Sequence, residues 1–254
     1  MKKAMMFFAV LAMTAVMAEA KVAHNPKDDT KTIVLVHGAF ADGSSWSAVI
    51  PLLQAQGYKV VAVQNGLNSL ADDVAATKRA IANASGPVVL VGHSWGGEVI
   101  TEAGADAKVQ ALVYVAALAP DEGDSAASLL AGYPATPGFG EISTDPAGYM
   151  SLSANGVKDD FAQDLPAEVT SVMAVTQGPI AASCFTTQAT APAWKSKKSW
   201  YIVAENDRMV QPDMERAMAT KIGATVTSLP SSHVPMLSHP ADVAKVIAEA
   251  AASF

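Results

Sequence analysis

The run Val88-Val89-Leu90-Val91 leads without a break into Gly92-His93-Ser94-Trp95-Gly96-Gly97 and then into a helical pattern, and no other segment constrains the fold as much. Consecutive apolar residues with no polar alternation read as a strand buried on both faces, the signature of a parallel sheet covered by helices. Glycines two positions either side of Ser94 permit a strained turn that lifts the hydroxyl above the sheet edge. The helix that follows aims its first backbone N–H groups at negative charge developing there. A serine so placed has the setting of a nucleophile.

The same rhythm surrounds this junction. Thr32-Ile33-Val34-Leu35-Val36 reads as a strand, Trp46, Val49, Ile50 and Leu53 fall at helical spacing, and Lys59-Val60-Val61-Ala62-Val63 is a further strand. Leu70, Val74, Ile81 and Ala84 mark a helix stripe, Trp95 to Ala105 a helix, and Ala111 to Ala116 a strand. After Pro120 the alternation stops, and a stretch rich in Ala, Gly, Ser, Thr and Pro runs to about Lys198 with weak helical patterning near Phe161 to Val175. A structureless connection of that length is rare in compact domains, and its aromatic residues need burial, so an inserted cap of short helices is expected over about residues 120–198. Strands then recur at Ser199 to Val203 and Thr225 to Leu229, with helices over Pro212 to Ile222 and from Pro240, where Val243, Val246, Ile247 and Ala250 share a face. The expected fold is α/β: one domain over residues 21–254, with a mainly parallel central sheet, helices on both faces and a small, mostly helical cap.

Residues 1–20 stand apart from that domain. Lys2 and Lys3 precede an apolar run from Ala4 to Ala18 that ends in Ala18-Glu19-Ala20, the pattern of a signal peptide cleaved after Ala20. The run falls short of the roughly 20 residues of a spanning helix, so a periplasmic or secreted protein without stable membrane insertion is expected. Loss of Lys2, Lys3 and Glu19 leaves the chain one unit more acidic than its formal −7, which argues against nucleic acid or anionic lipid as a partner. Cys184 is the only cysteine, so neither an internal disulfide nor a cysteine zinc site can form. It reads as a small buried apolar residue, and no metal site is expected.

A serine hydroxyl needs a base, and a base on a strand–turn–helix serine comes with an acid in the chain order Ser, acid, His. Of the five histidines, His24 follows the leader, His37 ends the first core strand and His93 sits in the turn itself, while His233 and His239 follow the last strand. His233 is the expected base, because His239 directly precedes Pro240 and suits a helix start. The strand Trp200 to Ala204 leads into Glu205-Asn206-Asp207-Arg208, where Asp207, farther round the turn, is the expected acid and Glu205 a solvated or structural one; Asp121 and Asp124 form a second possible acid site. Oxyanion donors are expected at the backbone N–H of Trp95 and, in the loop His37-Gly38-Ala39-Phe40, at that of Ala39. His37 and His93 then serve as supports held through their ring nitrogens. Phe40, Phe139, Phe185, Met209, Val210 and Met236 are candidates for an apolar substrate pocket.

Val36-His37-Gly38-Ala39 with Trp46 and Pro51-Leu52-Leu53, the Gly92 to Gly97 turn, Glu205-Asn206-Asp207 and Ser232-His233-Val234-Pro235-Met236-Leu237-Ser238 together resemble the methyl-salicylate esterase and hydroxynitrile lyase branch of the α/β-hydrolases. The resemblance implies a triad of Ser94, Asp207 and His233, oxyanion donors at Ala39 and Trp95, and no cofactor. Hydroxynitrile lyases of that branch carry a lysine after the histidine and a threonine in the strand-end loop; Val234 and Gly38 stand there in this chain. Hydrolysis of small carboxylic esters through an acyl-enzyme is therefore the expected activity. Cofactor-free perhydrolase or haloperoxidase-like chemistry at the same triad, and a non-catalytic ligand-binding role on the same fold, are the alternatives.

Overall fold

The apolar runs become strands with every residue buried: β1 (Thr32–Val36) and, later, the strand before Ser94. The computed structural model describes residues 30–254, and the expected leader with its cleavage site lies outside them. After β1 come α1 (Ile50–Ala55), β2 (Lys59–Val63), α2 (Leu70–Asn83), β3 (Val88–His93), α3 (Trp95–Ala103) and β4 (Val109–Val115). The cap holds α4 (Ala126–Leu130), β5 (Ile142–Thr144), β6 (Tyr149–Leu152), α5 (Ala154–Gly156), α6 (Ala167–Thr176) and β7 (Ile180–Ala181). The chain closes with β8 (Lys198–Ala204), α7 (Pro212–Lys221), β9 (Thr225–Leu229), α8 (Pro235–Ser238) and α9 (Pro240–Ala252).

The main sheet has the order β2-β1-β3-β4-β8-β9, and every pairing in it is parallel. β1, β3 and β4 lie inside it, and their Val, Ile and Leu side chains make up much of the core; the outer strands β2 and β9 keep exposed residues. Trp46 belongs to a separate 3₁₀ turn, Gly43–Trp46, because the Asp42 side chain caps it by accepting from Ser44 N at 2.6 Å. Helix α1 starts afresh beside Pro51.

The cap combines short helices with a three-stranded antiparallel sheet, β5-β6-β7, that the sequence pattern does not announce. Strands of two to four residues are too short for alternation to register. A local turn makes the β5–β6 hairpin: the Asp145 carboxylate accepts from Ala147 N at 2.8 Å and Tyr149 N at 2.9 Å, and Gly148 supplies φ 86. The two ends of the cap meet where Trp194 Nε1 donates to the Pro120 carbonyl at 2.8 Å.

Because the strands of the main sheet all run the same way, their C-terminal ends share one edge. From β1 the chain moves outward to β2 and then returns across β1 to β3, so the order reverses between β1 and β3. Such a reversal leaves a crevice at the strand ends, where ligands of open α/β sheets bind. Ala39 follows one of these two strands and Ser94 the other.

Candidate active site

At the end of β3 Ser94 adopts φ 51 and ψ −122, a region that residues with a side chain rarely occupy. Close approach of backbones makes the surrounding glycines necessary. A Cβ on Gly92 would lie 2.4 Å from the Gly96 carbonyl oxygen, one on Gly96 2.5 Å from that of Val36, and one on Gly97 2.3 Å from that of Leu118. Gly38 is pressed against the serine itself, since a Cβ there would stand 2.7 Å from Ser94 Cβ. Trp95 opens α3, so its N–H has no acceptor within the helix.

His233 and Asp207 arrive on the loops after β9 and β8, neighbouring strands in the sheet. His233 Nδ1 stands 2.5 Å from Asp207 Oδ2, with both side chains buried. The other oxygen, Oδ1, accepts from Met209 N at 2.6 Å and Val210 N at 2.9 Å, so the carboxylate is held by its own turn. Phe161 packs its edge on the His233 ring at 5.1 Å between centroids. With Nδ1 engaged, Nε2 is the nitrogen left to take a proton.

His37 and His93 are fastened to backbone. His93 Nε2 donates to the His233 carbonyl at 2.8 Å, pinning the histidine loop to the serine turn. His37 Nε2 accepts from Asn65 N at 2.9 Å, which leaves Nδ1–H for the Gly38 carbonyl at 2.9 Å. Burial lowers both pKa values, that of His93 far below the ordinary imidazole range, and keeps the rings neutral. His239 Nδ1 lies 2.9 Å from Ser238 Oγ, ahead of α9.

Ser94 and His233 line one apolar pocket together with Ala39, Phe40, Trp95, Phe139, Phe185, Met209 and Val210. Leu118, Leu130 and Phe161 complete the lining. Met236 is fully buried and lies outside it. Asp121 pairs with Lys195 at 2.5 Å, Asp124 with Lys221 at 3.3 Å and Glu205 with Arg216, and none of the three acids lines the pocket. Cys184 is buried, and that burial, with Asp73 nearby, pushes its thiol up to about 12, where no reactive thiolate forms at neutral pH.

Three acids matter to this geometry that the sequence did not single out. Asp73 accepts from Trp95 Nε1 at 2.9 Å and Leu67 N at 3.0 Å, and so holds the indole that stacks on Phe185. Asp164 Oδ2 accepts from Ser232 N at 2.8 Å and ties the cap to the histidine loop. Glu215, fully buried on α7, takes the Ala204 N–H at 2.9 Å and lies against Asp207. Burial first, then the charge of Asp207, keeps the Glu215 carboxyl protonated well above the usual range. An acid inside the buried stripe of Met214 and Met218 was the available signal for Glu215. Asp73, in line with Leu70, Thr77 and Ile81 on the buried face of α2, carried the same signal, and Asp164 had none, because its partner is distant in sequence.

A strained serine turn at the switch point of a parallel sheet, with a buried Asp–His pair opening on the same pocket, defines the class: hydrolases built on a nucleophile turn. Residues 33–246 match the model of the alpha/beta hydrolase family, and the chain belongs to that family. It is 29% identical over 251 residues to a pyrethroid hydrolase of Sphingobium wenxiniae, across 85% of this chain and 86% of the relative. A crystal structure of a pyrethroid hydrolase from Sphingobium faniae superposes with a TM-score of 0.77 at 25% identity, covering 88% of this chain and 98% of that one. Polyneuridine aldehyde esterase, at 23% identity and a TM-score of 0.76 over 87% of this chain and 98% of its own, shares the fold.

Proposed function

We propose that the protein is an exported serine esterase that hydrolyses small carboxylic esters. One observation carries the reading: His233, paired with Asp207 at 2.5 Å, opens on the pocket that holds the strained Ser94. Ser94 attacks the ester carbonyl while His233 Nε2 takes its proton, and Asp207 holds the tautomer and stabilises the imidazolium. The Ala39 and Trp95 N–H groups receive the oxyanion. The alcohol leaves with the proton from His233, and water, activated by the same nitrogen, releases the acid from Ser94. The names of the relatives, a pyrethroid hydrolase and an esterase, support ester hydrolysis.

The test is a panel of short-chain p-nitrophenyl esters on wild type and Ser94→Ala. The variant should lose about six orders of magnitude in kcat with its thermal midpoint retained. Equal rates in the two proteins would remove Ser94 from the mechanism. Export is tested by sequencing the N-terminus of the protein recovered outside the cytoplasm, which should begin at Lys21.

A further inference from the structure

We infer that the preferred esters carry an apolar group on both arms, acyl and alcohol, and that each arm occupies one of two cavities flanking the Ser94 pocket behind Phe40 and Phe139. The inference rests on the esterase reading above and specifies its substrate. The cavity at Ser94 and His233 measures about 30 Å³, room for roughly one or two water molecules. Small-molecule sites typically need about 300 Å³ or more. Any ester therefore has to displace part of the lining, and the lining yields where empty space lies behind it.

Two larger cavities stand behind that lining among the described residues. One, of about 330 Å³, shares Phe40 with the Ser94 pocket and is bounded by Ala41, Val169, Val172, Met173 and Leu237. The other, of about 270 Å³, shares Leu130 and Phe139 with it and is bounded by Tyr133, Pro134, Ala135 and Met214. The exposed lining of both is mostly apolar, and Asp42 and Glu168 border the first, so they suit hydrocarbon rather than anionic groups. The two substituents of an ester carbonyl diverge from one carbon, and the two cavities border the Ser94 pocket through different residues, Phe40 for one and Leu130 with Phe139 for the other. Phe139, on the second partition, is only half-buried, and Thr170 is the one buried residue among the ten of α6, the helix that walls the first cavity.

Ethyl acetate, ethyl hexanoate, hexyl acetate and hexyl hexanoate, followed by acid release, lengthen each arm separately and then together. Wild type should gain about tenfold or more in kcat/KM for each lengthened arm. Val172→Trp narrows the first cavity and Ala135→Trp the second; both positions are exposed and compatible with folding, and Val169→Trp is a second filler for the first cavity. One filler should cut the hexanoate-to-acetate ratio about fivefold or more, and the other should cut the hexyl-to-ethyl ratio by as much. Fillers that act on the same arm, or on neither ratio, overturn the inference. Loss of selectivity with Ser94→Ala still inactive rejects the two cavities alone, whereas turnover by Ser94→Ala at the wild-type rate rejects the esterase reading beneath them.

Discussion

The two walls of the Ser94 pocket are built in opposite ways. On the sheet side, backbone meets backbone: the Gly92, Gly96 and Gly97 positions have a carbonyl oxygen within 2.3 to 2.5 Å of where a Cβ would stand. On the cap side the wall consists of the side chains of Leu130, Phe139, Phe161 and Phe185; the cap glycines Gly138 and Gly156 meet side chains first, at Met209 and Glu141, and Gly140 has nothing within 4 Å. A backbone wall cannot shift without moving strands, so it suits groups that must meet a transition state at fixed distances. A side-chain wall can repack, so it suits the part of the substrate that varies. On the esterase reading proposed above, the chemistry stands on the first wall and selectivity on the second.

Substitution of a single glycine on each wall tests that contrast most strongly. Gly96→Ala forces a methyl group to within 2.5 Å of the Val36 carbonyl oxygen and should cost about 3 kcal/mol or more in chemical denaturation. Gly140→Ala enters open space and should stay within about 0.5 kcal/mol of wild type. Comparable losses at the two sites would erase the distinction.

The acid side of the site gives a finer test, since Asp207 is fixed by its own turn and by Glu215 behind it. Glu215→Ala removes the neutral carboxyl beside the acid and its bond to Ala204 N–H, and should lower kcat/KM about tenfold. Glu215→Gln, whose amide stays neutral beside Asp207 and can accept from Ala204 N–H, should recover to within about threefold. Equal loss in both variants would make Glu215 a packing residue with no part in orienting the acid.

The smallest expected effect concerns Glu98, on α3 behind the serine turn. Burial, with Glu102 nearby, raises its carboxyl from 4.5 to about 9. Between those values the folded chain keeps a proton that the unfolded chain releases, so stability is greatest at the acid end of this window and falls as pH rises. Glu215 and Asp73, also raised, act in the same direction. Glu98→Gln stays neutral throughout. Its thermal midpoint should fall less than that of wild type between pH 5 and pH 8.5 and exceed wild type by several degrees at the upper end. An unchanged slope would show that Glu98 ionises without cost and that the backbone side is more open to solvent than its contacts imply.

All six strands of the main sheet were legible in the sequence: β1, β3, β4 and β8 as apolar runs buried on both faces, and the outer strands β2 and β9, which keep exposed residues, as short runs rich in Val and Thr. The cap was legible only as a place where burial had to occur. Its strands, as short as Ile180–Ala181, draw their stability from pairing with segments such as Tyr149–Leu152, and no local periodicity records a pairing across that distance. Phe161 and Leu130 joined the pocket, and Met236 stayed out of it, for the same reason: an apolar side chain looks alike in sequence whether it faces core or cavity.

By itself the sequence determined that the chain makes a parallel α/β sheet with a strained serine turn at residue 94, because strand burial and glycine geometry are local properties written within a few residues. Tertiary structure alone decided what stands around that serine. It brought Asp207 to His233 across 26 positions and His93 to the backbone of the same histidine across 140, it set Glu215 behind the acid, and it left the space behind Phe40 and Phe139. Those relations depend on which loops the sheet order makes neighbours and on how the cap settles over them, and chain-distant contacts of that kind leave no mark in the spacing of residues.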